Sequence, residues 1–246
     1  ESTLSGFPAF QLGGTWEQDG LAKIIAQKTV VIPRSDAVYV LDGSAFNTGS
    51  TDQTRNLKAT TGWGGGFAGV YTGVRAAAPF AVLDTIYSAV QLVITQGDSN
   101  VELPALNAYW SERNVPTDGD IARGEIGTTA YYPIGSPGAE PGIYVLGAAG
   151  NDTDEFDQHI IAHEFQHYLE DAIGRSDTVG GDHSLDERLD MRVAFSEGFS
   201  NAFSGMVLND PRYRDSFGTA QASDFHFSLE SRSSLAPGWY SETSVH

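Results

Sequence analysis

Ile161-Ala162-His163-Glu164-Phe165-Gln166-His167-Tyr168 decides the reading of this chain. It contains His-Glu-x-x-His. On an α-helix, residues four apart share a face about one turn apart. His163 and His167 can therefore direct ring nitrogens at one metal ion. Glu164 is displaced about 100° around such a helix. That sets a carboxylate beside the ion rather than on it, placed to take a proton from a metal-bound water. Phe156, Ile160, Ile161, Phe165 and Leu169 give the segment an apolar side, so it reads as a buried helix and not a solvated face. His159 extends the stripe by a turn. It stands eight residues from His167, about 12 Å along a helix axis. Zn–N bonds are about 2 Å, so one straight helix cannot bring all three rings to one ion. His159 reads as a capping, surface or supporting residue.

A zinc ion in such a site needs a third protein ligand. The chain has no Cys, so the ligand is His, Asp or Glu. The extended pattern HExxHxxGxxH fails, because Glu170 and Ile173 stand where Gly and His are required. A carboxylate from a later helix is the remaining common solution, with Glu187 and Glu197 as candidates and His183 or other acidic groups behind them. Glu197 is favoured. Ala194, Gly198, Asn201 and Gly205 around it are small or compact, which suits close approach of two helices. Phe195, Phe199 and Phe203 form a separate stripe expected to anchor its helix in the core. Glu187 lies in Asp186-Glu187-Arg188, where a helix start and solvent explain it. Asn201 shares a face with Glu197 and is a candidate to hold a metal-binding His by its second ring nitrogen, or else a polar residue facing water.

Working outward, the motif helix is expected from about 153 to 173, stopped by Gly174. A second carries Glu197 from about 185 to 208, ended by Asn209-Asp210-Pro211. An earlier helix spans 75–96, with Pro79 in its first turn, Gly97 at its end, and Phe80, Leu83, Tyr87, Val90 and Ile94 in one stripe. Short strands are expected at 28–41 (two, broken at Pro33), 106–110, 128–132 and 142–146. The glycine run at 62–66 lacks the Lys and helix of a phosphate cradle and reads as a packed loop. With no internal repeat or linker, residues 1–246 are treated as one domain, with a β- and loop-rich part to about 70 and a core at 71–246.

The composition excludes several classes. At 40% hydrophobic, the chain can bury a core. No run of about eighteen apolar residues marks a membrane span. A net charge of −18 argues against nucleic-acid binding and favours a dispersed monomer. The acidity is local: residues 151–190 hold 12 Asp and Glu against two Arg. Some of these suggest calcium, namely Asp152, Asp154, Glu155 and Asp157 before the motif helix, or Asp177 and Asp182 after it. Solvated carboxylates at a helix N-terminus are the plainer account. The chain starts at Glu1 without Met and is Gly-rich and Cys-free. It reads as a trimmed, exported bacterial protein, secreted, periplasmic or on the cell surface.

HEFQH followed by SEGFSNAFSG resembles the zincin metallopeptidases, specifically the gluzincin group, in which a glutamate on a second helix completes the site. Ser196 departs from the group's usual Asn, and Ser200-Asn201 stands where thermolysin-like enzymes carry Ser-Asp. GIYVL, an acidic turn and IIAHEFQHYLE are similar to secreted bacterial peptidases of the hyicolysin type. The likeness covers about 142–205. It implies an α+β, zincin-like fold: a small mixed sheet, the 75–96 helix behind it, residues 142–146 as edge strand over a cleft, and the two metal-bearing helices. It implies one catalytic Zn2+, a peptide or protein substrate, hydrolysis by metal-activated water with Glu164 as general base, and an oxyanion donor among Tyr213, His226 and Tyr240. The alternative is a zincin-like fold serving as a non-enzymatic binding or surface protein, against which the retained Glu164 argues. A serine hydrolase is a weaker alternative, because Ser200 lies within a helix and Ser99 in a turn.

Overall fold

In the computed structural model, the described residues are 58–66, 69–231 and 238–245, together with 47, 50, 56 and two strands, β1 (Thr15–Glu17) and β2 (Ala22–Gln27). The strands expected at 28–41 lie outside them. Residues 62–66 enter a small antiparallel ladder, β3 (Trp63–Gly64) with β4 (Val70–Tyr71), in which Trp63 meets Tyr71 edge-on.

α1 (Ala78–Gln96) starts with Pro79 in its first turn and stops at Gly97, as the sequence dictates. Its buried face is rotated from the expected stripe. Val82, Leu83, Ile86, Ala89 and Val90 are buried, whereas Phe80, Tyr87 and Ile94 pack only at the margin. The helix is apolar on several sides, so periodicity alone does not choose which side faces the sheet. By length and composition α1 could cross a membrane, but these residues are packed into the main core.

β5 (Leu103–Trp110), β6 (Ala130–Tyr132) and β7 (Gly142–Val145) join β1 and β2 in a mixed sheet ordered β1-β2-β5-β7-β6. β2, β5 and β7 run parallel, and β6 is antiparallel to β7. The 142–146 strand is therefore not at the edge, as the family likeness implied. It is buried on both faces, which its run of apolar residues permits, and β6 takes the edge. β8 (Gly147–Ala148), β9 (Asp152–Thr153), β10 (Arg212–Phe217) and β11 (Ser223–Ser228) form a second, antiparallel sheet.

α2 (Gln158–Ala172) follows a single 3-10 turn at Asp154–Phe156. It buries Ile161, Phe165 and Leu169 against α1 and the first sheet. Each fully buried side chain of this size contributes about 1.5–3 kcal/mol. α3 (Met191–Leu208) packs on α2 and begins later than expected. The Asp190 side chain accepts from the Arg192 amide as N-cap, so 185–190 is not helical. The phenylalanine stripe is also corrected. Phe203 is in the core, but Phe195 and Phe199 are 58% and 38% exposed and stack on each other at the surface.

Ahead of α2 lies a buried ion pair. Arg75 donates to Glu155 and to the Gly147 carbonyl, and its guanidinium lies over Tyr71 and Trp110. Trp110 Nε1 donates to the other Glu155 oxygen at 3.1 Å. Glu155 is thus a paired structural carboxylate and not a solvated one.

Candidate metal centre

The α2–α3 interface brings together residues far apart in sequence. His163 Nε2 lies 3.0 Å from Glu197 Oε2, His167 Nε2 lies 3.2 Å from the same oxygen, and the two Nε2 atoms are 3.1 Å apart. Ligands at about 2.0 Å around a tetrahedral ion are about 3.3 Å from one another. The three atoms thus have the spacing of one face of a zinc tetrahedron, and two imidazoles with one carboxylate suit zinc chemically.

Each ring is oriented by its other nitrogen. His163 Nδ1 donates to Asn201 Oδ1 at 2.8 Å, and His167 Nδ1 meets Ser196 Oγ at 3.2 Å. Ser196 in turn donates to Glu170 Oε2 at 2.6 Å. With one proton held on Nδ1, each Nε2 is left facing Glu197, donating to it while the ring is charged and able to ligate once that proton leaves. Glu164 lies beside the trio, with Oε1 4.0 Å from His163 Nε2. Its Oε2 accepts the Tyr131 amide at 2.7 Å, an outward N–H of edge strand β6. Burial raises the Glu164 pKa, against the charges of His163 and His167.

A second group shares Glu197. His183 Nε2 is 3.6 Å from Glu197 Oε2 and 3.6 Å from Glu242 Oε2. Burial works to raise the Glu197 pKa, but hydrogen bonds from His163, His167 and His183 outweigh it and hold the carboxylate well below its ordinary range. Burial works to lower the His163 pKa, but Glu197 and the Glu164 charge raise it to about 9. Hydrogen bonds to Glu197 and Glu242 raise His183 to about 11. A metal entering here must displace protons, so its affinity depends on pH.

The remaining expected residues separate. Glu187 is exposed and closes a local turn with Ser184. His159 is buried, hydrogen-bonded to Ser204 and outside the trio; burial lowers its pKa to about 4. Tyr213 is buried with its ring centroid 6.2 Å from that of His163. His226 faces outward and pairs with Asp224 at 2.6 Å. Tyr240 is half exposed, and its carbonyl accepts from Leu189. Ser200 is fully buried in α3, and Asp98 caps the turn holding Ser99. A cleft of about 230 Å³ shares only Glu170 and Ser196 with this site. Glu242 went unforeseen because the chain near it carries no periodic signal. The Glu170–Ser196 support was hinted at only by Ser beside Glu197.

Residues 1–62 match the family model of a probable lipoprotein LpqN. Lipoprotein LpqN of Mycobacterium tuberculosis is 52% identical over 44 residues, 18% of this chain and 19% of that protein. The chain thus matches about a fifth of the length of this curated relative. No solved structure matches. The expected identity as a gluzincin or hyicolysin-type metallopeptidase is corrected by these matches. The likeness found is to a lipoprotein and lends nothing to peptide-bond hydrolysis, so the zinc endopeptidase assignment does not stand. The physical reason is that His-Glu-x-x-His specifies where two nitrogens and a carboxylate point, not that the ion they hold turns over a substrate. The match ends at residue 62, before α1, and so touches none of the clustered residues. It agrees with the expected location in its coarse form, a protein associated with the cell envelope.

Proposed function

We propose that the protein is a cell-envelope protein that binds a divalent transition metal, zinc foremost, on His163, His167 and Glu197, in a binding and not a hydrolytic role. The observation that carries this reading is the convergence of three donor atoms 3.0–3.2 Å apart. The N-terminal likeness to a lipoprotein supports the location, and the Cys-free composition fits exposure outside the cytoplasm. A net −10 over residues 151–190 raises the local cation concentration. Glu164 has a structural task in this reading: its bond to the Tyr131 amide ties α2 to the sheet edge. The zincin-like arrangement, a helix-backed mixed sheet with two metal-bearing helices, serves as the scaffold. Bound zinc supplies a Lewis-acid centre with a position left for an exogenous ligand.

The test is metal uptake by chelator-stripped protein. About one zinc per chain is expected. Glu197→Ala should lose it at low free zinc, and Glu164→Gln should keep it, because Glu164 is outside the donor trio. Binding should weaken as pH falls, since only neutral imidazole ligates. Uptake unchanged in Glu197→Ala would remove the site. Hydrolysis of a protein substrate by the zinc-loaded protein, abolished in Glu164→Gln, would overturn the binding role.

A further inference from the structure

We propose that Asp152, Asp154 and Asp215 form a calcium site that clamps the start of α2 to β10, separate from the histidine centre. One carboxylate oxygen from each residue comes within 4.8 Å of the others. Oxygens around a single calcium at about 2.3–2.6 Å have this reach. Oδ1 of all three is buried and has no hydrogen-bond partner. Asp154 is only 4% exposed. Its Oδ2 accepts from Thr129 Oγ1, which leaves Oδ1 as the oxygen turned into the cluster.

Three carboxylates this close repel one another unless a cation or a proton lies between them. Among the described residues no ion pair reaches any of the three. Arg75 is held by the neighbouring Glu155. The donors are all oxygen, which selects a hard cation over zinc, and flexible carboxylates from separate elements suit calcium better than the strict octahedron of magnesium. Burial raises the pKa of all three carboxyls; repulsion from its neighbours adds to this at Asp154 and at Asp215, while at Asp152 a bond to Asp154 works against it.

The position gives the ion a task. Asp152 is on β9, Asp154 opens the 3-10 turn before α2, and Asp215 is on β10. These segments are also joined by the pairing of Phe217 with Asp152, by the Gly218 amide donating to the Asn151 carbonyl, and by Asp157, which accepts from the Ser216 amide and hydroxyl at 3.1 and 2.8 Å. β10 also carries Tyr213, whose ring packs against His159 and His163. A cation here fixes the approach of β10 to the metal-bearing helix.

The experiment is calorimetric titration and thermal unfolding of the chelator-stripped full chain with CaCl2. One calcium per chain is expected. Calcium at about a hundredfold its dissociation constant should raise Tm by about 5–10 °C, and magnesium should do less. Asp215→Asn should lower calcium affinity at least about tenfold. Without calcium its Tm should not fall below the parent's, because one repelling charge is gone. Asp154→Asn should lose the response as well. The response is read in zinc-free protein, so loss of the zinc reading leaves this one standing. A parent protein that ignores millimolar calcium, or Asp215→Asn and Asp154→Asn variants that respond as the parent does, would overturn the site and leave a shared proton as the cluster's only cation.

Discussion

Asn201 and Ser196 touch the proposed metal centre without joining it. Each takes the Nδ1 side of one histidine and thereby fixes Nε2 as the nitrogen that faces Glu197. Outer partners of this kind are typically worth 10–100-fold in metal affinity. Asn201→Ala should therefore weaken zinc binding by about that factor, read by competition with a chelating dye, while Glu187→Ala leaves it unchanged. Equal effects of the two would remove the positioning role of Asn201. That Glu197 and not Glu187 lies beside the two histidines was legible in the sequence, but for a reason the structure revises. Gly198 and Gly205 do not open space toward α2. A Cβ at Gly198 would meet Val245 and the Glu242 carbonyl, and one at Gly205 would meet Leu229. Glu197 reaches the histidines because it lies one turn from Asn201 on the face of α3 that packs against α2.

At the scale of elements, Gly198 is where the C-terminal 3-10 helix Glu242–Ser244 docks on α3. An added Cβ would stand 2.5 Å from Val245 Cβ and 2.8 Å from the Glu242 oxygen. Gly198→Ala should displace this segment, costing about 1–3 kcal/mol by urea unfolding. It should also loosen the His183–Glu242 contact. A variant as stable as the parent would show that the docking is slack. The helices themselves were legible, because caps and periodicity are local: Pro79, Gly97 and Asn209 end or start elements where expected. Strand order was not. The buried position of β7 follows from its pairing with both β5 and β6, and no feature within Gly142–Val145 records which neighbours it has. Phe195 and Phe199 misled for a related reason. A three- or four-residue stripe marks one side of a helix, but here only Phe203 meets the core.

For the molecule as a whole, acidity is both attraction for cations and a source of instability without them. Asp157 shows how the sign works out. Burial raises its pKa from 3.8 to about 7, reinforced by the charges of Asp215 and Asp152 and opposed by its bonds to Ser216. A carboxyl whose pKa is higher folded than unfolded binds its proton more tightly in the native state. It therefore stabilises below about pH 4, and that contribution is lost as pH rises toward 7. Asp157→Asn keeps an acceptor for Ser216 but does not titrate. In chelator, the stability of the parent relative to this variant should fall between pH 4 and 7 by on the order of 3 kcal/mol. Trends from His163, His183 and Glu197 are common to both proteins and cancel in the difference. Denaturant unfolding at several pH values checks this, and a difference that stays flat across the window would show that Asp157 is ionised at no cost. Repeating the series with saturating calcium should shrink the slope, because a cation held by Asp152 and Asp215 offsets the charges that face Asp157. An equal slope with and without calcium would mean that burial alone governs this carboxyl.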